Sequence, residues 1–305
     1  MSGKYIREKF MRKFVGMAKH RRQTAWLIVA WYITQIAATI VAGHYLLTKS
    51  VSFATATLMV IAAIFIATRL RGLNNIVHEC THYSFSDHRQ DNVAIGSLCS
   101  SILTGCFQQY KDEHLSHHAH LGDYELDMDL KGIKDLRLHE PLTKTTIIRH
   151  MTNPLLGRHL RQYSGVNFSG RDGRFFQLLK VFMLLTIIGF TVVAPLTLTF
   201  FVLIPLFYLF PTFNYWTDCL DHAGVVGSED ELESSRNVLA PKFLRPLLFP
   251  RNDCFHLVHH LFPQVPARHL STVHDELCND PIYQEQKLAV QPIHQAVYGL
   301  VTQAS

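Results

Sequence analysis

The chain has 305 residues, of which 48% are hydrophobic and 17% are charged, and so little charge is unusual for a soluble enzyme. The six cysteines form no CxxC pair, so we expect reduced thiols and neither a disulfide framework nor a zinc ribbon. The net charge of +5 is concentrated at one end, because residues 1–22 contain eight Lys and Arg residues and one acid. A nucleic-acid-binding protein would carry its basic residues along a whole surface, so no nucleic-acid partner is expected.

The basic N-terminal segment directly precedes an apolar run, which is typical of a membrane anchor whose positive end stays in the cytoplasm. Within this segment, Ile6, Phe10, Phe14 and Met17 are spaced so that a helix would place them on one face. A helix with one apolar and one basic face is attracted to anionic lipid. We therefore predict that residues 1–22 lie on the membrane surface.

Four apolar segments are candidates for membrane-spanning helices. They cover about residues 26–47, 51–70, 181–194 and 196–213, and the last two form a hairpin that is broken near Pro195. The first segment is too long for the core of a signal peptide, so we expect it to be retained in the mature protein.

The long hydrophilic segments, residues 71–180 and 218–305, hold most of the remaining Lys and Arg residues, whereas the opposite side receives only two short turns. The positive-inside rule therefore predicts that the N-terminus and both long segments are cytoplasmic. The expected fold is all-α: one multi-pass membrane domain over residues 1–305, with four transmembrane helices and a cytoplasmic helical cap that holds the histidines described below.

One further segment is long enough to span, because residues 92–110 contain no charged side chain. If this segment crossed the membrane, the histidines before and after it would lie on opposite sides. It is rich in Gly, Ser, Asn, Thr and Gln. We therefore predict an interfacial or re-entrant helix that does not cross.

Nine of the 19 histidines fall in four short windows, each of which follows or lies close to a predicted span. The windows read HECTH, HLSHH, DCLDH and HLVHH. Residues three or four apart are neighbours on a helix surface, so we expect HxxxH to aim two imidazoles at one point and HxxHH to aim three. The predicted metal ligands are His78, His82, His114, His117, His118, His222, His256, His259 and His260.

The number of histidines indicates which metal, and how many ions, the site could bind. A catalytic zinc uses about three protein ligands, whereas two irons would take four or five histidines each and keep positions open for oxygen. Imidazole binds iron, copper, nickel and zinc, so the ligand type alone does not choose between them. The eight box histidines would give each iron four ligands, and His222 would give one iron a fifth. The count therefore favours a di-iron centre.

Metal-bound histidines usually donate their second N–H to a carboxylate or a carbonyl. Glu79, Asp127, Asp129, Asp218 and Asp221 are candidates for this role, and either of the last two could fix the tautomer of His222. A further histidine, at position 120, is expected at the surface or outside the ligand set. The histidines without a partner at ligand spacing are His20, His44, His88, His139, His150, His159, His269, His274 and His294.

At these residues the sequence resembles the membrane fatty acid desaturase and hydroxylase family. The resemblance covers two spans, HECTH, a hydrophobic segment, HLSHH, a hairpin and finally HLVHHLFPQVP at residues 256–266, which is the most specific feature. The ELDMD run at residues 125–129 resembles the acidic stretch that is common after the second box. The resemblance implies two non-haem irons that activate O2 to abstract hydrogen from an unactivated C–H bond.

The resemblance further implies an oxidoreductase that introduces a double bond into an acyl, lipid-like chain within the bilayer. No cytochrome b5 module is recognisable in the chain, so we expect electrons from a separate donor that resembles a ferredoxin, a rubredoxin or cytochrome b5. The chain is short and looks more like a bacterial enzyme. We therefore expect the bacterial inner membrane, an active site that faces the cytoplasm, and a substrate that need not be a common acyl lipid.

Other functions are compatible with parts of the pattern. A hydroxylase, monooxygenase or ketolase of a fatty, alkane-like, terpenoid or small-metabolite substrate would begin with the same hydrogen abstraction. A membrane cytochrome would need haem-binding histidines inside the spans, where only His44 qualifies. A metal transporter would need ionisable residues at mid-membrane, and none lies at that depth in the predicted spans. Neither of these last two classes is therefore expected.

Overall fold

The structure, a computed structural model, describes residues 2–50, 52–228, 230–292 and 295. Two positions used above, Val51 at the predicted start of the second span and His294, lie outside the described residues. Within the described part the protein is all-helical. The helices are α1 (Ser2–Phe14), α2 (Arg22–Leu47), α3 (Phe53–Thr81), α4 (Arg89–Ile102), α5 (Phe107–His120), α6 (Met128–Gly132), α7 (Lys144–Thr152), α8 (Leu160–Tyr163), α9 (Arg174–Val193), α10 (Pro195–His222), α11 (Arg245–Leu248), α12 (His256–Leu261), α13 (Leu270–Leu277), α14 (Pro281–Gln284) and α15 (Lys287–Val290).

Four helices, α2, α3, α9 and α10, are long and apolar enough to cross a membrane, which confirms the predicted number of candidate spans. Their bounds differ from the prediction. Helix α3 continues to Thr81 instead of ending at Leu70, and α10 continues to His222 instead of ending at Phe213. Helix α9 begins earlier, at Arg174. The first and third histidine windows therefore project from the ends of the long helices themselves, with no loop between span and site.

The hairpin of α9 and α10 is broken where the sequence predicts. Ala194 has φ −146° and ψ 60°, and Pro195 occupies the first turn of α10, where its missing N–H costs no hydrogen bond. Further along α10, two π-helical turns surround Pro205, which cannot donate to the regular α-helical pattern.

The long helices pack through one side and expose the other. Helices α2, α3 and α4 share a core that includes Val29, Leu73 and Ile95. Side chains on the opposite sides are exposed, with Leu27 at 69% and Val192 at 85%. Large apolar side chains in this setting require a nonaqueous environment, which is consistent with spans that face lipid.

The uncharged segment at residues 92–110 is not a single helix. Helix α4 has 14 residues, about 21 Å at 1.5 Å per residue, which is short of the ~30 Å hydrocarbon core. The chain then turns at Thr104, whose φ is +63°, and continues as α5. Gly96 permits the close contact between the two helices, because a Cβ there would lie 2.5 Å from the ring of Phe107.

Helix α1 differs from the prediction. Its apolar face is buried in protein: Ile6 and Phe14 are 0% and 2% exposed and pack in the same core as Phe262 and Tyr283. Its basic side chains pair with acids of the C-terminal part of the chain, as Lys9 does with Asp280 at 2.5 Å. The prediction that this face lies on the membrane is therefore wrong. The amphipathic pattern could not reveal that the complementary surface belongs to the same chain.

We predict that the α4–α5 segment leaves and re-enters the same side of the membrane. In a chain whose own cysteines have been replaced, single cysteines near Arg89 and near Lys111 should react with an impermeant reagent from the cytoplasmic side. A cysteine near Lys49 is the matched control and should react only from the other side. Labelling of the Arg89 and Lys111 positions from opposite sides would contradict the prediction.

Candidate metal centre

The nine predicted ligands converge into two groups that four parts of the chain build together. Helix α3 and the residue that follows it supply the first window, α5 the second, the end of α10 the third, and α12 the fourth. The five-histidine group contains His78, His82, His114, His118 and His259. The four-histidine group contains His117, His222, His256 and His260.

In the five-histidine group the Nε2 atoms face one another. The Nε2 atoms of His78 and His259 are 2.8 Å apart, and those of His82 and His114 are 3.0 Å apart. His118 completes the group, with its Nε2 atom 3.0 Å from those of both His114 and His259. The rings meet edge to face rather than stacked in most pairs, as expected of ligands that surround one point.

The four-histidine group has the same geometry. The Nε2 atom of His222 lies 2.8 Å from that of His256 and 3.3 Å from that of His117. His260 completes the group, 3.0 Å from His256. The two groups adjoin, because the ring centroids of His118 and His260 are 4.4 Å apart.

Each HxxHH window divides its histidines between the two groups, so the prediction that it aims three imidazoles at one point is wrong. His114 and His118 enter the five-histidine group, and His117 enters the other. The reason is rotational: adjacent residues on a helix are about 100° apart, so His117 and His118 cannot point the same way. In α12 the division is reversed, since His259 joins the five-histidine group. The eight box histidines are thus divided five and three, and His222 brings the smaller group to four.

Three of the rings in the four-histidine group have partners at the Nδ1 position. Nδ1 of His117 lies 2.9 Å from a carboxylate oxygen of Asp127, which is fully buried. Nδ1 of His222 lies 3.1 Å from the carbonyl oxygen of Ser234. Nδ1 of His256 lies 3.5 Å from a carboxylate oxygen of Asp221. An N–H at Nδ1 leaves the lone pair on Nε2, which is the atom turned inward.

Two of the other predicted orienting acids have different partners, and the third lies too far from its imidazole for a hydrogen bond. Glu79 pairs with Arg251, at 2.6 and 3.1 Å. Asp218 accepts a hydrogen bond from the hydroxyl of Tyr163 at 2.5 Å. Asp129 lies 4.0 Å from Nδ1 of His114, beyond hydrogen-bonding distance. The expectation that these acids bond to imidazoles is therefore wrong.

The tautomer of His222 is set by the Ser234 carbonyl rather than by either acid of its own window. That carbonyl lies in a loop that no local sequence signal connects to the site. Among the described residues, none of the remaining histidines joins either group, and His120 is exposed.

Burial makes most of these imidazoles neutral. It lowers the pKa of His118 and His259 well below the usual histidine value, and neighbouring histidines lower both further. His117 is the exception. Burial lowers its pKa, but the hydrogen bond to Asp127 and the nearby carboxylates of Asp129 and Asp218 outweigh burial, and the net shift is upward. These carboxylates therefore favour a positive charge at His117 more than the surroundings of the other eight rings do.

The donor set fits a metal ion in each group. Two ring nitrogens that both carry lone pairs repel each other at 3 Å unless a cation lies between them. Adjacent ligands of an ion with metal–nitrogen distances of about 2.1 Å lie about 3 Å apart, and the observed Nε2 separations are 2.8 to 3.3 Å. A hydrogen-bonded histidine cluster would satisfy only some of these contacts, because each neutral ring carries a single N–H.

Two buried ion pairs fix the position of the fourth window against α3. Arg251, which immediately follows Pro250, pairs with Glu79, and Arg71 pairs with Asp253. The amide of Asn75 also donates to the carbonyl of Pro250 at 2.7 Å. The segment before His256 is therefore held along the last three turns of α3, so that α12 brings its histidines up to those of the first window.

Helix α5 is held by a distant cap. Cys106, the residue that precedes the helix, makes no side-chain hydrogen bond to the first turn. Instead, the carboxylate of Asp172 accepts the backbone N–H groups of Phe107 and Gln108 at 2.8 and 2.9 Å. A carboxylate at this position satisfies free N–H groups and the positive end of the helix dipole. Asp172 thereby connects the start of α9 with the helix that carries the second window.

Two cavities reach the histidines. The first, of about 670 Å³, is lined by members of both groups, including His78, His114 and His222, and by Tyr110 and Phe210. The second, of about 700 Å³, is lined partly by residues of α1, among them Arg7 and Phe14. The lining residues that connect this cavity to the centre are His118 and His260. The histidine centre is therefore bordered by a cavity on each of two sides.

The described part of the chain is helical, with four candidate membrane spans and two adjoining histidine groups. Comparison with known proteins identifies the family. A family model for fatty acid desaturases matches residues 54–292, which is most of the chain. The chain belongs to the fatty acid desaturase family.

Individual relatives are distant plant proteins. The endoplasmic reticulum omega-3 fatty acid desaturase of Nicotiana tabacum is 24% identical over 219 residues, which cover 63% of this chain and 58% of the relative. The chloroplastic omega-3 fatty acid desaturase of Glycine max is 24% identical over 225 residues, with coverage of 63% and 48%. The Delta(12) fatty acid desaturase FAD2 of Calendula officinalis is 36% identical over 58 residues, with coverage of 19% and 15%. The chain therefore spans about half the length of the first two relatives.

We predict that His222 is a metal ligand although it lies outside any HxxHH window. Replacing His222 with Ala leaves three histidines in its group, so bound metal should fall by about half and turnover should be lost. The control is His88→Ala, which changes an exposed ring that bonds only to Asp87 and should leave metal content unchanged. Full metal content together with near-normal activity in the His222→Ala protein would contradict the prediction.

Proposed function

We propose that the five- and four-histidine groups each bind one non-haem iron and that the protein is an O2-dependent desaturase that introduces a double bond into an acyl chain. The observation that carries the proposal is the pair of adjoining groups, whose Nε2 atoms all point inward, in a chain of the fatty acid desaturase family. Iron bound at this centre would supply oxygen activation for the abstraction of hydrogen from an unactivated C–H bond.

The chain's own residues have three roles in this proposal. Asp127, Asp221 and the Ser234 carbonyl hold the Nδ1 sides of three rings, so that each ring keeps its lone pair and its direction. The buried carboxylates offset the charge of bound cations. The walls of the first cavity hold the reacting part of a substrate against His78 and His222, so that both groups can act on neighbouring carbon atoms.

We further propose that residues 1–305 form one integral membrane domain whose histidine-bearing cap faces the cytoplasm. Lys49 is the only charged residue of the two short turns on the far side, and this distribution supports the orientation. The expected location is the bacterial inner membrane. Electrons would come from a separate donor protein that resembles a ferredoxin, a rubredoxin or cytochrome b5.

The lining of the first cavity favours a second candidate. An acyl chain is best accommodated by apolar walls, but this cavity is also lined by polar side chains, among them Asn74, Gln109, Glu113, Tyr163 and Asn214. Such walls suit a substrate that itself carries hydrogen-bonding groups. The second candidate is therefore a hydroxylase, monooxygenase or ketolase that acts on a small metabolite at the same centre.

We predict two iron atoms per chain and little haem. Elemental analysis of the purified protein, combined with a visible absorption spectrum, should give iron close to twice the protein concentration with no haem band. The matched control is the double variant His114→Ala/His117→Ala. It removes one ligand from each histidine group and should therefore lower the amount of iron bound at both groups. Full activity with a single stable zinc per chain would contradict the di-iron proposal.

We predict that the main product has lost two hydrogen atoms relative to the substrate, as expected of desaturation. Comparing lipids and small metabolites from cells with and without the protein should reveal the substrate, and mass spectrometry then gives the change. The reaction should also be run under 18O2. Incorporation of 18O into the main product would support hydroxylation, the second candidate, and would contradict the proposed desaturase function.

A further inference from the structure

A cavity of about 470 Å³ lies away from the histidines and is lined mainly by arginines. Its four arginines come from the segment around α7 and α8, and the other lining residues include Asn153 and Gln162. The arginines are Arg137, Arg149, Arg158 and Arg161. Four guanidinium groups around one space repel each other unless anions offset them.

The acids that the structure places near these four arginines are Asp135, which also lines the cavity, and Glu140, so within the described part of the chain the positive charges outnumber the negative ones. Glu140 pairs with both Arg137 and Arg149, at 3.4 and 2.5 Å. Arg158 and Arg161 are exposed and form no ion pair within the described part of the chain. The Nε atom of Arg149 is buried and has no hydrogen-bond partner among those residues. The exposed guanidinium groups of Arg158 and Arg161 are therefore the ones that an anion from outside the chain can reach.

Apolar side chains lie beside the arginines and have no protein cover. Ile148, Met151, Leu155 and Leu156 are 61%, 62%, 75% and 62% exposed. The first three are spaced three and four residues apart along and just beyond α7, so they extend along one side. Large exposed apolar side chains grouped in this way indicate contact with a membrane or another protein.

Hydrogen bonds to α10 place this segment at the level of a candidate span. The hydroxyl of Tyr208 donates to the carbonyl of Pro154 at 3.0 Å, directly before the two leucines. The hydroxyl of Ser164 donates to the carbonyl of Phe207 at 3.1 Å. Tyr208 and Phe207 belong to the part of α10 that is apolar enough to cross the membrane. If α10 crosses, as the membrane proposal requires, the exposed apolar side chains lie at the edge of the bilayer.

We propose that the four arginines bind the phosphate of an anionic membrane phospholipid, whose acyl chains lie against Leu155 and Leu156. Guanidinium groups pair with phosphate through two parallel hydrogen bonds. Basic side chains at the edge of a span attract anionic lipid, and long arginine side chains reach the headgroup level from apolar surroundings. The proposal commits to a lipid because the apolar side chains adjoin the basic ones, an arrangement that a soluble phosphate would not need.

Native mass spectrometry of the full chain in a neutral detergent tests the proposal. The wild-type protein should retain phosphatidylglycerol in preference to phosphatidylcholine. Arg158→Gln/Arg161→Gln should lose that preference by about 25-fold, since each of the two basic residues near an anionic surface contributes about fivefold. Arg158→Lys/Arg161→Lys keeps the charge and should retain most of the preference. The control Arg12→Gln/Lys287→Gln removes two charges elsewhere and should behave as wild type.

Three further measurements test the proposed lipid site. Leu155→Ser/Leu156→Ser should weaken retention of both lipids, because it removes the contact for the acyl chains. An unchanged preference in Arg158→Gln/Arg161→Gln would overturn the proposal, as would displacement of the lipid by inorganic phosphate at an equal concentration, which would indicate a site for a soluble anion. Metal content measured on the same samples should be unchanged, so failure of the lipid site is distinguishable from failure of the histidine centre.

Discussion

The structure depends on one electrostatic constraint: nine imidazoles must each keep a lone pair on Nε2 while these atoms point at one another from about 3 Å. Burial favours the neutral ring in eight of them, whereas the carboxylates near His117 raise the pKa of that ring. The direction comes from the Nδ1 side, where Asp127 and the Ser234 carbonyl hold the rings. Lone pairs turned inward repel each other, so the surrounding helices must be fixed well enough to keep the groups assembled until a cation is bound.

The surroundings provide this rigidity through buried polar contacts rather than through apolar packing alone. The pairs Glu79–Arg251 and Arg71–Asp253 connect the end of α3 to the segment that carries the fourth window. Buried ion pairs add little net stability, but the removal of one partner is costly. Their contribution here is to fix where α12 lies relative to α3. That position matters because α12 supplies histidines to both groups.

The division of each HxxHH window joins the two groups mechanically. Helices α5 and α12 each send neighbouring histidines to different groups, so a movement of either helix changes both groups at once. His222 has a different position, since α10 contributes to only one group. The distance between the two groups is thus determined inside α5 and α12, where the backbone is regular, and not by a flexible loop.

The helical class, the four candidate spans and the nine histidines that come together are predictable from the sequence, because apolar run length and ligand spacing are local properties of the chain. The division of the histidines, the contact between Ser234 and His222, and the packing of α1 on protein instead of lipid are visible only in the folded chain. These features depend on contacts between residues far apart in the chain. An amphipathic face indicates that the face will be covered, but it does not indicate whether protein or lipid covers it. An HxxHH window determines the directions of its histidines around their own helix, but it does not determine where the other three histidine windows lie.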